Sequence, residues 1–360
     1  MQILIFMQIL TIQCAKAARI YLILGHKNCC ICAFVAKFAA ICGRNDVICE
    51  DYVQFPCTFF PFILLKLCIF EAFRSASSFP DPTIMRKKPI VALIYDFDGT
   101  LSPGNMQEFG FIQAIGKSPK EFWSESDDIA IGQDASNILS YMKLMFDEAK
   151  SRGIKLTRED FRKFGSQVEL FPGVKEWFRL VNDYGKAHGV VVEHYINSSG
   201  LAEMIEGTSI AKEFKRIFAC SFLYNKEGEA EWPGVAVDYT AKTQFLFKIN
   251  KGILSIRDNK KVNESQMEDK KRIPFPHMIY FGDGETDVPC MKIVKMFGGN
   301  SIAVYNPSIP GKIKTAGKLL RQGRVNFSTP ADYTAGSRTF GIVCAIIDKI
   351  KADYELMRLQ

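Results

Sequence analysis

One apolar segment that runs directly into an acidic loop constrains the fold of this chain more than any other feature. Residues 89–95 read PIVALIY, and residues 96–100 read DFDGT. An apolar run without alternating polar positions is typical of a strand buried on both faces of a parallel sheet. This pattern predicts an α/β fold, with helices on both faces of the sheet and ligands beyond the carboxyl ends of its strands. Similar runs, separated by helical patterns, occur at 190–197, 217–223, 278–281 and 301–305.

Residues 104–188 interrupt this alternation with helical patterns alone. Residues 118–121 (SPKE) form a capping box with proline at the first helical position, and residues 134–149 carry an apolar stripe at helical spacing. The sequence therefore predicts a helical cap at 104–188, inserted after the first strand of a catalytic core that comprises 85–103 and 189–360.

The first 84 residues differ in composition from the rest. They contain eight of the eleven cysteines, whereas the remaining three are scattered in the way that buried apolar residues are in a reducing compartment. We expect residues 1–84 to be a cysteine-rich apolar extension outside the functional domain, with a membrane anchor and a small metal module as alternatives. Lys66 and Glu71 interrupt its longest apolar run, and no secretory signal pattern is evident, so we expect a cytoplasmic protein without membrane association.

The charge balance is mildly basic. Lys and Arg total 46 and Asp and Glu total 39, a net charge of +7, but the chain has no dense basic stripe with interleaved aromatic residues. We therefore expect no nucleic-acid partner. A mildly basic surface suits small anionic substrates as well as it suits nucleic acid, so the charge alone does not require a nucleic-acid partner.

Two acidic pairs follow two of the predicted strands. Asp96 and Asp98 follow the first, and because positions i and i+2 of an extended segment point the same way, their carboxylates are expected at one spot. Asp283 and Asp287 follow the strand at 278–281. Carboxylates that converge from two strand ends predict a hard-cation site of the magnesium kind.

Two further segments could contact an anion. Residues 197–200 (NSSG) follow a predicted strand and are expected to open a helix, with a hydroxyl and free backbone N–H groups available. Lys242 lies in the first turn of a helix that Thr240 is expected to cap, where it could neutralise charge on a phosphoryl group. Alone, these features predict only an ordinary helix N-cap and a solvated lysine.

Together these segments resemble the four motifs of the haloacid dehalogenase superfamily, in order, and specifically its phosphoserine phosphatase-like branch. The motifs are DFDGT at 96–100, the serine in INSSG at 196–200, Lys242, and GDGETD at 282–287. The resemblance spans about residues 89–351 and implies a three-layer, Rossmann-like core with a helical cap.

The resemblance also implies a role for each residue. Asp96 would be the nucleophile that forms an aspartyl-phosphate, and Asp98 the general acid and base. Lys242 would bind phosphate and restrain the nucleophile. The residues implied for Mg²⁺ are Asp96, Asp98 through its backbone carbonyl, and Asp283, with Asp287 either as a further ligand or as a partner of the ligands. Those implied for phosphate are Thr100, Ser198, Ser199 and Gly200. Ser198 is the preferred motif serine because it comes first after the apolar strand, and Ser199 is the alternative.

These roles imply a Mg²⁺-dependent phosphoric monoester hydrolase that acts on a small phosphorylated metabolite. An aspartate at position 98 favours phosphate esters, because the dehalogenases of the superfamily need no acid there. Glu108 could contact an amine of the substrate. The alternatives are a phosphotransferase or phosphomutase on the same scaffold, and a non-catalytic module that binds Mg²⁺ and phosphate. The substrate and the oligomeric state are not encoded in any pattern of the sequence.

Overall fold

The computed structural model describes residues 88–267 and 270–359. The expectations for residues 1–84 therefore lie outside the described residues. Within the described ranges the chain has the predicted α/β architecture, with one mostly parallel sheet of seven strands. The strands are β1 Ile90–Tyr95, β2 Val191–Leu201, β3 Arg216–Tyr224, β4 Ala230–Val235, β5 Met278–Gly282, β6 Asn300–Tyr305 and β7 Phe327–Pro330.

The strand order places β1 in the middle of the sheet. The order is β4-β3-β2-β1-β5-β6-β7, and every pairing is parallel except the hairpin of β3 and β4. Tyr95, the last residue of β1, pairs with Ile196 of β2 and with Phe281 of β5. The residues that follow β1 and β5 therefore emerge side by side at one edge of the sheet.

Helices occupy every connection between strands except the β3–β4 hairpin, and five of them, α1 to α5, form the predicted insertion between β1 and β2. The capping box at Ser118 begins α2 as predicted, because its hydroxyl accepts from the N–H of Glu121. The helices are α1 Phe111–Ala114, α2 Pro119–Gly132, α3 Asn137–Ser151, α4 Arg158–Gly165, α5 Val174–Ala187, α6 Ala202–Gly207, α7 Ala241–Lys251, α8 Asn259–Asn263, α9 Val288–Met296, α10 Lys312–Arg321 and α11 Arg338–Leu359.

The core of the protein lies on both faces of the sheet. Consecutive strand residues point to opposite faces, and β5 shows the two sides clearly. Phe281 contacts the ring of Trp177 from α5, whereas Tyr280 donates to Asp287 at the start of α9. Both β5 residues are fully buried, so α5 and α9 shield the central strands from solvent on the two sides.

Two local predictions are wrong. Residues 197–200 do not open a helix, because β2 continues to Leu201 with a shift of register against β3, and α6 begins only at Ala202. Thr240 precedes α7, but its side chain makes no capping hydrogen bond. Asp238 takes that role, because its Oδ1 accepts from the N–H of Ala241 at 2.8 Å and from the N–H of Thr240 at 3.1 Å.

No helix within residues 88–267 and 270–359 is both long enough and apolar enough to cross a membrane.

Candidate active site

Three carboxylates meet where β1 and β5 end. Asp96 follows β1, and its N–H donates to the carbonyl of Phe281 at 2.9 Å, which fixes it beside β5. Asp283 follows β5, and Asp287 lies at the end of a short 3₁₀ turn that leads into α9. One oxygen of each carboxylate lies within 4.8 Å of the others. We call Asp96, Asp283 and Asp287 the acidic triad, and it is able to hold a divalent cation.

Close approach of the two loops depends on glycine. Gly99 has a φ of +72°, and a Cβ there would overlap the carboxylate of Asp283. A Cβ at Gly282 would likewise overlap the carboxylate of Asp287. The glycines of both acidic motifs thus allow the carboxylates to approach the backbone of the neighbouring turn.

Lys242 lies between two members of the triad. From α7 its Nζ reaches Asp287 Oδ1 at 2.7 Å and Asp96 Oδ1 at 3.2 Å, and its side chain is fully buried. Burial alone would lower the pKa of Lys242, but the carboxylates of Asp287 and Asp96 raise it above its ordinary value. The side-chain amide of Asn197 donates to the backbone carbonyl of Lys242 at 3.0 Å and ties α7 to β2. Lys242 is therefore a charged, rigidly placed counter-ion.

The triad nevertheless keeps unrelieved negative charge. Burial and the neighbouring Asp287 carboxylate raise the pKa of Asp96 to about 7, although Lys242 acts in the opposite direction. Asp287 Oδ2 is buried and has no hydrogen-bond partner among the described residues. An oxygen of this kind is costly unless a ligand pairs with it, so the donor set fits a hard cation such as Mg²⁺.

Asp98 lies only two residues after Asp96, but its carboxylate has a different environment. Its Oδ1 accepts from the N–H of Met106 at 2.9 Å, and a Cβ at Gly200 would lie 2.9 Å from its Oδ2. Burial and the charge of Asp96 raise the pKa of Asp98 well above its usual range. This carboxyl group is thus suited to carry a proton beside the residues that end β2.

The two candidate serines differ in what their hydroxyls contact. Ser198 is buried, and its Oγ accepts from the N–H of Gly200 at 3.0 Å. Ser199 Oγ is buried without a hydrogen-bond partner among the described residues, while its carbonyl accepts from the hydroxyl of Tyr141 at 2.8 Å. Thr100 is fully buried, and its Oγ1 likewise lacks a partner in the described ranges. Which serine binds phosphate stays a prediction.

A comparison with known families agrees with this arrangement of motifs. Residues 93–292 match the haloacid dehalogenase-like hydrolase family. This range contains Lys242 and all three residues of the acidic triad. This chain belongs to the haloacid dehalogenase-like hydrolases.

The chain also resembles a bacterial protein along most of that protein's length. An uncharacterized protein of Borreliella burgdorferi is 30% identical over 285 residues, which covers 71% of this chain and 95% of the relative.

Similar solved structures include a substrate-bound phosphoserine phosphatase (15% identity, 67% of this chain and 93% of that one, TM-score 0.44). A phosphoserine phosphohydrolase-like protein from Francisella tularensis is 19% identical, with 70% of this chain and 98% of that one covered and a TM-score of 0.40. Cytosolic 5′-nucleotidase IIIB bound to cytidine is 14% identical, with 77% of this chain and 88% of that one covered and a TM-score of 0.43.

In this hydrolase Glu108 connects the loop after the first motif to the inserted helices. Its Oε1 accepts from Asn105 Nδ2 and from Trp123 Nε1, both at 2.8 Å, and Trp123 belongs to α2. Glu108 is also one of the charges that raise the pKa of Asp98, so its carboxylate lies near the first motif. A role in contacting substrate stays a prediction.

The sequence reasoning missed three side chains that contact the site. Lys312 Nζ pairs with Asp283 Oδ2 at 2.7 Å, and Tyr280 donates to Asp287 Oδ1 at 2.8 Å. Tyr141 of α3 reaches the Ser199 carbonyl, as described above. The tyrosines occur within apolar patterns and carry no signal of their own. Lys312 does carry a signal. It begins a helix, where a lysine is unfavourable because it faces the positive end of the helix dipole.

Proposed function

We propose that this protein is a Mg²⁺-dependent phosphatase that hydrolyses a small phosphorylated metabolite through an aspartyl-phosphate on Asp96. The observation that carries the proposal is the position of Asp96, which shares its site with Lys242 and with the carboxylates of Asp283 and Asp287. A carboxylate held in this way suits nucleophilic attack, because its backbone is fixed to β5 and a cationic group lies beside it.

In the first step a carboxylate oxygen of Asp96 forms a bond to phosphorus while the bond from phosphorus to the ester oxygen breaks. Asp98 gives its proton to the departing oxygen, so the leaving group departs as an alcohol. In the second step Asp98 takes a proton from water, which attacks phosphorus and releases inorganic phosphate from Asp96. The raised pKa of Asp98 supports this double role.

The divalent cation would be held by the acidic triad together with the backbone carbonyl of Asp98. When bound, it supplies positive charge that offsets the phosphoryl oxygens. Lys242 binds a phosphate oxygen and restrains Asp96, and Ser198 or Ser199, Gly200 and Thr100 complete the phosphate contacts. Glu108 and the inserted helices face the remainder of the substrate, which favours small metabolites over macromolecules.

The test is hydrolysis of p-nitrophenyl phosphate by the full chain, with Mg²⁺ and with a chelator. We expect Mg²⁺-dependent turnover that Asp96→Asn lowers at least about 10³-fold and that Asp127→Asn, an exposed carboxylate on α2, leaves unchanged. Equal turnover in Asp96→Asn would contradict the proposal. A phosphoryl group that passes to an added alcohol in preference to water would favour the phosphotransferase alternative.

Asp98→Asn tests the acid role separately. Its loss of rate should be larger for an alkyl phosphate, whose leaving group needs a proton, than for p-nitrophenyl phosphate, whose leaving group is stable as an anion. An equal loss on both substrates would count against Asp98 as the acid.

A further inference from the structure

Lys312 brings a second ammonium group to the acidic triad from a separate part of the chain. It is the first residue of α10, which follows β6, and β6 pairs directly with β5. Its Nζ lies 2.7 Å from Asp283 Oδ2, and the side chains of Lys312 and Asp283 are 37% and 13% exposed. The pair therefore lies at the solvent-facing rim of the triad, whereas Lys242 is fully buried within it.

The position of Lys312 is unfavourable for the helix that contains it. A cation in the first turn of a helix meets the positive end of the helix dipole, and α10 has no acidic residue in that turn to compensate. Gly311, which precedes it, makes no side-chain cap. The contact of Lys312 with Asp283 offsets this cost. Departures from local rules of this kind are concentrated at functional sites.

The charges of the cluster suggest what Lys312 does. The triad contributes three carboxylates, and Lys242 and Lys312 contribute two ammonium groups. With all five groups ionised the net charge is −1, and a divalent cation makes it +1. Without Lys312 the same cluster would be −2 and then neutral, which attracts a cation more strongly and a phosphate dianion less strongly.

We propose that Lys312 is a charge-balancing residue of the site, which weakens the binding of Mg²⁺ and strengthens the binding of the phosphoryl dianion. The inference rests on the proposed function, because it needs the triad to bind a cation. Lys312 acts through Asp283 and through its charge at the rim, so it is a positioning residue and takes no part in bond formation.

The experiment measures two affinities on the full chain by calorimetry: Mg²⁺ alone, and inorganic phosphate in the presence of saturating Mg²⁺. Lys312→Gln should bind Mg²⁺ about tenfold more tightly and phosphate several-fold more weakly. Lys312→Arg keeps the charge and should behave like the wild type in both titrations. Lys314→Gln removes the same charge from an exposed position two residues along α10 and should change neither affinity by more than about twofold.

The opposite signs separate charge balance from simple support of Asp283. If Lys312 only held Asp283 in place, Lys312→Gln would weaken both ligands, and that result would overturn the proposal. Unchanged affinities in Lys312→Gln, with Mg²⁺ still bound, would overturn this inference and leave the proposed function intact. Failure of the wild type to bind Mg²⁺ would overturn both.

Discussion

Two buried polar clusters begin at adjacent residues where the central strand β1 ends, and they are satisfied in different ways. Tyr95 belongs to a neutral network in which Trp177 Nε1 donates to its hydroxyl at 2.8 Å and the hydroxyl pairs with His194 Nδ1 at 3.0 Å. His194 Nε2 pairs with Asn182 Oδ1 at 3.1 Å. The donors and acceptors are consistent if the hydroxyl donates to Nδ1 and the Nε2–H donates to Asn182, so the network is complete without a ligand.

Asp96, the next residue, belongs to a cluster with a surplus of negative charge. Its partners Asp283 and Asp287 are also acidic, and Asp287 Oδ2 has no hydrogen-bond partner within the described ranges. Burial of polar groups therefore does not by itself indicate function. A network whose groups all pair with one another stabilises the fold, whereas a cluster whose charges exceed its counter-ions is suited to bind a ligand of opposite charge.

The largest effect is expected from removing the buried cation. Lys242→Met leaves two buried carboxylates without their counter-ion and should cost about 4 kcal/mol of the free energy of unfolding without metal. Mg²⁺ should restore part of this loss, because the added cation replaces the missing charge. The measurement is denaturant unfolding with and without Mg²⁺.

Lys248→Met is the matched control for that prediction. Lys248 is a second fully buried lysine of α7, but its Nζ pairs with the carbonyls of Ser255 and Ile256. Lys248→Met should lower the free energy of unfolding by an amount that Mg²⁺ does not change. Equal rescue of both variants by Mg²⁺ would break the distinction between the two kinds of cluster.

Breaking the neutral network should lower stability and leave activity intact. Tyr95→Phe removes the partner of both Trp177 Nε1 and His194 Nδ1, at a cost of about 3 kcal/mol in the free energy of unfolding. Turnover per folded molecule and Mg²⁺ affinity should stay within about twofold of the wild type. A loss of Mg²⁺ binding in Tyr95→Phe would show that the two clusters act as one.

Acidification should destabilise the region around β2 in two overlapping pH windows, one that begins near pH 6.5 and one that begins near pH 4.5. Burial lowers the pKa of His194 to about 3, and Glu193 has a pKa of about 2 because Arg272, Lys215 and Tyr195 outweigh the opposing effect of burial. Below about pH 6.5 His194 binds a proton in the unfolded chain but not in the folded one. The free energy of unfolding therefore falls as the pH drops from about 6.5 towards 3. The contribution of Glu193 falls between about 4.5 and 2.

Variants at both positions test these windows. Glu193→Gln should lose about 2 kcal/mol at pH 7, and its difference from the wild type should shrink only below about pH 4.5. His194→Gln should instead make the free energy of unfolding depend less on pH between about 6.5 and 3. The free energy of unfolding measured against pH decides, and a Glu193→Gln difference that persists unchanged at pH 2 would contradict the assigned cause.

The smallest effect is expected at the hydroxyl of Tyr280. Tyr280→Phe removes one donor from Asp287, which keeps Lys242, so the free energy of unfolding should fall by about 1 kcal/mol. Tyr333→Phe, which loses a neutral hydrogen bond to the carbonyl of Thr100, is the matched comparison. A much larger cost at Tyr280 would mean that Lys242 compensates Asp287 less than the geometry indicates.

The sequence was sufficient for the parts of the fold and site that carry strong local patterns. The buried runs predict five of the strands, and the acidic motifs identify Asp96, Asp283 and Asp287, whose carboxylates lie together in the structure. β4 and β7 escape prediction, because β4 contains Pro-Gly and has three exposed residues among its six, and β7 has only four residues. Neither shows the apolar run that marks a buried strand.

Contacts between distant segments were beyond the sequence. The pairing of Lys312 with Asp283 joins positions 29 residues apart, and no local pattern encodes it. The helix expected at residues 197–200 was wrong because the register shift that extends β2 depends on its pairing with β3. Local motifs thus predicted which groups carry the chemistry, and tertiary packing determined what surrounds them.

The most direct test of the account is the effect of Mg²⁺ on the free energy of unfolding of the full chain. At a concentration about 100-fold above the dissociation constant, Mg²⁺ should stabilise the wild type and Tyr95→Phe by about 2.7 kcal/mol and should have little effect on Asp283→Asn. An unfolding transition that Mg²⁺ does not shift in the wild type, or shifts equally in Asp283→Asn, would contradict the claim that the acidic triad is an incomplete cluster completed by a cation.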